Sequence, residues 1–448
     1  MYKLLFRSFF RTKVFLVSLL ILLFVGVISL LIGKQHLVKQ EKTIAAAINH
    51  QEQSIQSNVE YHKEDLGLVL YYLRFTLIKR PLNLSAVSIG QSDVNPLLQA
   101  VTIRNLEEQK HDTDFENPLL LMSGNLDLGF VIIYLFPLVL IAMMFNLYSE
   151  EKELGTWRIL SAQTPNKLNF LLKKMGIRLF FVFAVLVLLL VITAFTLKIP
   201  NNKVFWAFCI QSILYILFWN ALCLLVISFQ RNSNFNALCL ISIWIILTIL
   251  LPAMVNNYVL NNYPVPEALQ AMIEQRNGYH EKWDLAKDVT MEPFFEAYPQ
   301  FEKYSVPEDK FSWIWYYGMQ YMGDAESSNS SKEMREKILL RHKINETIAL
   351  FVPTMHAQLS FNVLAGTSIL NHIAFVEDLS KFHKKLRLGF YSDIFDKKTT
   401  ESVDWSQYKV KYHESNQSVN WLKILLPTFL STILIGTIAL IKMKYYFQ

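Results

Sequence analysis

Six runs of mostly apolar residues dominate the chain, at 14–32, 128–147, 177–197, 204–229, 237–254 and 421–443. A helix needs about 20 such residues to cross the hydrocarbon core of a bilayer, which is about 30 Å thick. Charged residues make up only 18% of the chain, whereas soluble domains average about 25%. The sequence therefore predicts an α-helical integral membrane protein with six transmembrane helices. The first run is too long for the apolar core of a signal peptide, so we interpret it as a retained anchor.

Lysine and arginine residues predict the orientation of the spans. They occur before the first span, between spans two and three, between spans four and five, and after the last span. With six spans these four segments lie on one side of the membrane, and basic residues favour the cytoplasmic side. Both termini are therefore predicted to be cytoplasmic. The formal net charge of +6 follows from this bias and does not indicate a nucleic-acid partner.

The same pattern divides the chain into five parts. They are 1–33 (an N-terminal helix and the first span), 34–127 (a first extracytoplasmic segment), 128–254 (spans two to five, with a cytoplasmic segment at 148–176), 255–420 (a second extracytoplasmic segment) and 421–448 (the last span and a cytoplasmic tail). The two extracytoplasmic segments are too long for plain loops, so they need ordered structure. All three cysteines lie within spans, which excludes a disulfide framework outside the membrane.

The first extracytoplasmic segment opens with a helical pattern. Ile48, Ile55, Val59 and Leu66 form one apolar stripe, which predicts that the first span continues outward as a stalk. The stretches SAVSIG and QAVTIRN alternate like short strands and predict a hairpin. In the second segment, several helical patterns precede SVDWSQYKVKY, which alternates like a strand. Because a lone amphipathic helix cannot bury its stripe, both segments are predicted to form one composite α+β, mainly helical domain. A dimer partner that covers the stripe is the alternative.

The chain lacks common catalytic motifs. It contains no P-loop, no His-Glu-x-x-His, no Gly-x-Ser-x-Gly and no Cys-x-x-Cys, so we assign it no catalytic residue and no cofactor of its own. His356, His372 and His383 are not spaced as metal ligands on one helix, and we predict no metal site. Apart from Arg178, counted with the preceding loop, spans three to five carry no charged residue. This pattern argues against a proton- or ion-coupled transporter.

Span four carries a polar stripe. Gln211, Tyr215 and Trp219 follow one another at intervals of four residues, and Asn220 lies beside them. These side chains are candidates for a translocation path or a subunit interface. Contact between neighbouring helices through polar side chains is the alternative, and we favour it.

The segment SEEKELGTWRILSAQTPNKL, between spans two and three, contains more structural signals than a turn requires. Glu150, Glu151 and Glu153 form an acidic cluster directly after span two. Gly155 is expected to end that helix, and Thr156 is expected to cap a new short one.

The remainder of this segment predicts a second break. Trp157, Ile159 and Leu160 give the short helix apolar contacts, and Thr164 with Pro165 is expected to start the helix of span three. The prediction is therefore a short helix held between two breaks at the cytoplasmic surface.

The stretch EKELGTWRILSAQTPNKLNFLLKK resembles the Glu-x-Glu-x-Gly-Thr … Leu … Pro … Lys signature of ABC-2 type transporter permeases. In that family this segment forms the coupling helix, which docks on the ATP-binding subunit. The matching positions are Glu151, Glu153, Gly155, Thr156, Leu160, Pro165 and Lys174. By this resemblance, the residues expected to couple to the ATPase are Glu150, Glu151, Glu153, Gly155, Thr156, Trp157, Ile159, Leu160 and Pro165. The N-terminal MYKLLFRSFFRTK similarly resembles the interfacial elbow helix of the family.

The two large extracytoplasmic segments resemble those of a bacterial subgroup of this family that carries a DUF3526-type region. The stretch LAGTSILNHIAF resembles the Leu-Ala-Gly-Thr-Asp … His … Phe pattern of that subgroup, with Ser368 where Asp is common. Other family members have only a short loop after span one. Membership of the subgroup would therefore account for the two large extracytoplasmic segments.

The resemblance implies the membrane subunit of an ABC-2 type exporter in the bacterial cytoplasmic (inner) membrane. It implies a separate ATP-binding subunit, in two copies, which holds ATP and Mg. It also implies a second permease subunit, either a copy or a paralogue, and a periplasmic or outer-membrane partner. Two other functions stay open. One is a mechanotransmission complex that moves periplasmic partners without passing a substrate through the spans, and the other is a membrane-anchored sensor, which needs no ATPase.

Overall fold

A computed structural model describes residues 2–110, 125–164, 166–308, 310–415 and 418–447. The described chain is mostly helical and contains one small sheet. Its first part consists of α1 (Tyr2–Arg11), α2 (Lys13–Tyr61), α3 (Leu66–Tyr72), β1 (Phe75–Lys79), β2 (Leu98–Val101), α4 (Glu107–Lys110), α5 (Leu128–Phe130), α6 (Phe136–Met144), α7 (Ser149–Glu153), α8 (Thr156–Gln163), α9 (Lys167–Thr196) and α10 (Lys203–Ile227). Its second part consists of α11 (Ser233–Ile245), α12 (Leu251–Asn262), α13 (Glu267–His280), α14 (Asp288–Ala297), α15 (Trp313–Ala349), α16 (Pro353–Ala365), α17 (Ile369–Phe395), β3 (Lys411–His413) and α18 (Trp421–Phe447).

Seven helical stretches of the described chain are long and apolar enough to cross a membrane. Six of them overlap the predicted spans, and their most apolar windows have mean hydropathies of 2.1 to 3.1. The seventh, Pro353–Phe395, reaches only 1.4 and consists of α16 and α17, which are separated at Gly366. The structure thus has one candidate more than the six predicted spans, and its long apolar helices are those of a membrane protein.

Helix α2 runs without a break for 49 residues and contains both the first predicted span and the predicted stalk. Ile55 of the predicted stripe is buried, while Ile48 and Val59 are half-buried. Leu66 lies beyond the end of α2, at the first residue of α3, where it is also buried. The stripe therefore continues across a turn instead of following one helix to its end.

The sheet joins strands from the two large segments in the order β2-β1-β3. β1 pairs antiparallel with β2, with Phe75 opposite Val101. β1 also pairs in parallel with β3, with Leu77 opposite Lys411. The three strands therefore hold residues before span two against residues just before the last helix.

The predicted hairpin between SAVSIG and QAVTIRN is wrong in its first strand. Residues Asn83–Ala86 form a 3-10 turn, and β2 pairs with β1 instead. The reason is that other helices enclose this segment. The Val87 carbonyl accepts a hydrogen bond from Gly129 N at 2.8 Å. On the other side the segment lies so close to α2 that a Cβ on Gly33 would be 2.0 Å from the Ala86 carbonyl oxygen. A segment enclosed by two helices in this way has no free edge for a partner strand.

One side chain of α2 links both large segments directly. The Gln51 side-chain carbonyl accepts a hydrogen bond from Thr76 N at 2.7 Å, and its amide donates to the Tyr408 carbonyl at 2.9 Å. Around this contact lies an aromatic-rich core to which both segments contribute. Its buried members include Ile55, Leu70 and Phe75 from the first segment and Phe294, Tyr317 and Phe390 from the second. The two segments thus share one core.

In two of the predicted spans a proline follows a π-helical turn. Each of the two prolines, Pro137 and Pro252, follows a π-helical turn, Val131–Leu135 in one case and Ile246–Leu250 in the other. Because proline has no N–H to donate, one carbonyl of the preceding turn loses the backbone donor that it would otherwise have. In both turns a hydroxyl from another helix donates to a backbone carbonyl. The pairs are Tyr215 with Ile133, 2.9 Å apart, and Thr354 with Leu247. Side chains thus supply donors in a region where unpaired backbone groups are costly.

The shared core predicts that damage to α2 spreads to the second segment. We expect Ile55→Asp to expose residues 256–420 to protease as well as the stalk, because a carboxylate without a partner is costly to bury. Limited proteolysis of the purified protein with mass-spectrometric mapping measures this. Ser57→Asp, at an exposed position of the same helix, is the control and should leave the wild-type pattern. Cleavage confined to the stalk would show that the two segments fold separately.

Candidate functional site

The chain between α6 and α9 folds into two short helices, α7 and α8, joined at Gly155. The φ of Gly155 is +73°, in the left-handed region that glycine adopts at little cost. Gly155 itself is the N-cap residue of α8, and the predicted cap by Thr156 is not made. The Thr156 hydroxyl instead donates to Glu151 Oε2 at 2.5 Å. Helix α8 contains no buried residue and so forms part of the surface.

The second predicted break is present, but its cap is a different residue. Helix α9 starts after Asn166, whose side-chain oxygen accepts a hydrogen bond from Asn169 N at 2.9 Å. Thr164 lies at the end of α8, so it does not cap α9. Pro165 lies outside the described residues. Asparagine takes the place of threonine here because its side chain reaches the same backbone donors.

Glu151 connects the start of this segment to α9. Its Oε1 lies 2.8 Å from Lys174 Nζ, and Lys174 also donates to the Leu147 carbonyl at 3.2 Å. Lys174 is only 9% exposed, so its charge is compensated within the chain. The contact fixes the angle at which α7 leaves the bundle, because it joins the end of one predicted span to the start of the next.

Glu153 connects the same segment to α11. Its two carboxylate oxygens accept from Ser233 N at 2.7 Å and from Ser233 Oγ at 2.9 Å. Ser149 Oγ lies 2.7 Å from the same serine hydroxyl. Two of the three glutamates of the acidic cluster therefore bind other helices of this chain.

Arg178 forms the third connection and is almost fully buried, with 5% exposure. It donates to the Met143 carbonyl and to Asn146 Oδ1, the latter at 3.0 Å. Glu150, which is half-exposed, lies 4.0 Å from the same guanidinium. The guanidinium also stands 4.6 Å above the ring of Phe15 in α2. Arg178 thus joins α2, the end of α6 and α9.

Helix α8 has an inner and an outer side. On the inner side, Trp157 packs edge-on against Tyr148 at 4.9 Å between ring centroids, and Leu160 packs on the core of the bundle. Of the apolar residues around Gly155, Leu154 at the end of α7 is 70% exposed and Ile159 of α8 is 62% exposed. These two apolar side chains, one before and one after Gly155, are called here the α8 face.

The connections made by Arg178, Ser233 and Asn236 were missed in the sequence. Asn236 donates to the Phe145 carbonyl at 3.1 Å. Arg178 had a visible signal, since a charged residue beside a long apolar run is costly unless it is paired. Ser233 and Asn236 had no such signal, because their partners lie in another helix.

The polar stripe of span four is enclosed within the chain. Tyr215 and Trp219 have no exposed surface, and Gln211 donates to the Thr428 hydroxyl at 2.9 Å. Asn220 is also buried. The four side chains are thus buried within the chain, and Gln211 contacts another helix; whether they take part in a translocation path or a subunit interface stays a prediction.

The histidines and Ser368 have separate local roles. A ring nitrogen of His356 lies 2.9 Å from the Ile424 carbonyl, and one of His383 lies 2.8 Å from the Arg104 carbonyl. Among the described residues, no group of His, Cys, Asp or Glu could hold a metal ion. Ser368 precedes α17, and its hydroxyl donates to Asn371 Oδ1 at 2.6 Å without capping the helix.

Comparison with known proteins gives one match. Residues 269–413 match a family described as a domain of unknown function, DUF3526. No curated protein and no solved structure matches the chain. The matched region runs from α13 to β3 and therefore covers most of the second large segment, but not the α8 face.

We expect the Glu151–Lys174 ion pair to stabilise the bundle. Glu151→Ala should lower the free energy of unfolding by about 2–3 kcal/mol, because it leaves the Lys174 charge buried without a carboxylate. Lys174→Met in the same chain should recover part of this loss, giving a double-mutant coupling energy of roughly 1–2 kcal/mol. Unfolding by SDS titration measures both. The half-exposed Glu150, changed to Ala, is the control and should cost less. Strictly additive effects would show that the pair contributes nothing.

Proposed function

We propose that the chain is the membrane subunit of an ABC-2 type transporter, an exporter driven by a separate ATP-binding subunit. The observation that carries the proposal is the α8 face: two exposed apolar side chains on either side of Gly155, in a segment that contacts of Glu151, Glu153 and Trp157 hold to the bundle. A plain turn would need neither the contacts nor the exposed side chains. The match to the DUF3526 family supports membership of the subgroup that this sequence resembles.

The contacts of the segment support a mechanism of coupling. Within the segment, Glu151 binds α9 and Glu153 binds α11, and Arg178 of α9 in turn binds the end of α6. A force applied to the α8 face is therefore passed to three helices at once. ATP binding would change the arrangement of the bundle only as far as the ATPase binds one arrangement more tightly than the other.

The proposed subunit lies in the bacterial inner membrane and works with other subunits. The α8 face and both termini lie in the bacterial cytoplasm, and the shared domain of the two large segments lies outside the inner membrane. ATP and Mg are held by two copies of the ATP-binding subunit. A second permease subunit, identical or related, completes the bundle, and a periplasmic or outer-membrane partner can contact the domain. The chain itself carries no catalytic residue in this proposal.

A mechanotransmission complex is the second candidate, and one observation favours it. Helix α2 runs unbroken from the bundle into the domain, where Gln51 binds residues of both large segments. A rigid helix shared in this way would carry movement from the bundle to the domain without a substrate passing through the spans. A transport assay with reconstituted complex separates the two candidates.

Docking of the ATPase is tested on the α8 face itself. Affinity purification of the tagged chain from its native membranes should recover a P-loop ATPase. Leu154→Asp combined with Ile159→Asp should abolish this recovery, because each carboxylate would be desolvated in an apolar contact. The control is Leu285→Asp, which changes an exposed apolar residue of the second large segment. Recovery of the ATPase with the doubly changed chain, or no ATPase with the wild type, would contradict the proposal.

The proposed orientation is tested by thiol labelling. In a chain whose native cysteines Cys209, Cys223 and Cys239 are replaced by alanine, Ser57→Cys and Ser328→Cys should react with a membrane-impermeant maleimide in cells with a permeabilised outer envelope. Gln163→Cys should react only after the inner membrane is lysed. All three positions are exposed in the structure, so access depends on the membrane alone. The opposite labelling pattern would reverse the orientation.

A further inference from the structure

An open pocket of about 560 Å³ lies in the shared domain, between α3, the loop before α4, α13 and α15. Its floor includes Tyr316 of α15, which is 6% exposed. Arg104 of the loop and Arg276 of α13 line it, and so do Tyr71 and Met272. The pocket is therefore built from both large segments, which are separated in sequence by the spans.

The loop that carries Arg104 is held by its backbone. Asn105 N donates to Gln320 Oε1 at 3.1 Å, and Leu106 N and Glu107 N donate to Asp324 Oδ1 at 2.7 and 3.2 Å. Both acceptors belong to α15. Three consecutive backbone donors are thus bound by buried side chains of one helix, an arrangement that holds a loop in one conformation.

A second set of contacts holds the loop from the opposite side. Arg387 of α17 donates to the Arg104 carbonyl and forms an ion pair with Asp324. A ring nitrogen of His383 lies 2.8 Å from the same carbonyl. Burial raises the pKa of Asp324, while the adjacent Arg387 guanidinium opposes that rise. A buried ion pair is thus placed behind Arg104, where it fixes the backbone and leaves the Arg104 side chain to face the pocket.

The Arg104 guanidinium is oriented but not neutralised. It stands 4.7 Å above the ring of Tyr71, and its Nε donates to Thr102 Oγ1 at 3.2 Å. Within the part of the chain that the structure describes, neither Arg104 nor Arg276 forms an ion pair with a carboxylate. Glu108 also lines the pocket, but its Oε2 accepts from the Asn105 side chain at 2.8 Å. The two arginines leave the pocket with a positive balance.

Helix α13 contributes apolar side chains to the pocket. Leu269, Met272 and Ile273 of α13 line the pocket and are 65%, 43% and 49% exposed. They follow one another at helical spacing, one turn before Arg276. Apolar side chains that are exposed to water are costly, and here they lie beside unpaired arginines. A ligand with an apolar body and a negative charge would bury the apolar side chains and neutralise the arginines.

We propose that this pocket binds an organic anion, a carboxylate with an apolar body. The carboxylate is placed between Arg104 and Arg276, and the apolar body lies against Met272, Ile273 and the tyrosine rings. Prearranged donors lower the cost of ordering a site on binding, which explains why a single loop is held by so many buried groups. The inference does not depend on docking of an ATPase, because every residue that it uses lies in the shared domain.

The test uses the full chain in lipid nanodiscs and equilibrium dialysis of three probes with the same ring system. They are 2-naphthoate, 2-naphthalenemethanol and 2-naphthylmethylammonium, and binding to empty nanodiscs is subtracted. We expect 2-naphthoate to bind at least tenfold more tightly than the alcohol, and the cation to bind least. Equal binding of the acid and the alcohol, or no binding of the acid above empty nanodiscs, would overturn the proposal.

Variants locate the site. Arg104→Met and Arg276→Met should each weaken binding of 2-naphthoate roughly tenfold, as loss of one charge-assisted contact does, while Arg104→Lys should retain part of it. The matched control is Arg80→Met, since Arg80 stands 4.0 Å above the ring of Tyr412 as Arg104 does above Tyr71, but lies outside this pocket. If Arg80→Met weakens binding as much as Arg104→Met, or if neither pocket arginine matters, the assignment is wrong.

Discussion

The shared domain depends on the packing of two distant segments against one helix. Residues before span two and residues after span five both reach α2, and Gln51 binds a backbone group from each. A three-stranded sheet this small is not stable alone, so β1 needs β2, β3 and the aromatic core together. The domain can therefore form only when the helices between its two segments bring those segments together.

Buried charges lie behind an exposed feature at each end of the molecule. Lys174 and Arg178 at one end, and Arg387 at the other, are each paired with carboxylates or backbone carbonyls. Apolar residues of the same volume would pack at lower cost. The buried charges restrict the geometry, because a hydrogen-bonded ion pair is compatible with few arrangements of its two partners. Lys174 and Arg178 lie behind the α8 face, and Arg387 lies behind Arg104.

Sequence patterns predicted what depends on neighbours along the chain. Apolar runs predicted the helices that are long enough to span a membrane, and Gly155 predicted the break before α8. The partners of Glu151 and Glu153 were not predictable, because Lys174 and Ser233 belong to other helices. For the same reason two glutamates of the acidic cluster, which was interpreted as a docking site, bind within the chain, while the apolar Leu154 and Ile159 are exposed. The Arg104 pocket had no local signal, since its two arginines are far apart in sequence.

Helix α2 connects these two ends physically. Phe15 near its start lies under Arg178, and Gln51 near its end binds the sheet, a separation of about 54 Å along a straight helix. A helix without a break resists bending, because each bend lengthens backbone hydrogen bonds. If α9 rotates and moves Arg178, then either the Arg178 guanidinium slides past the ring of Phe15 or α2 tilts with it. In the second case, β1 and the loop that carries Arg104 move with it, because the sheet and the core fix them to the outer half of α2.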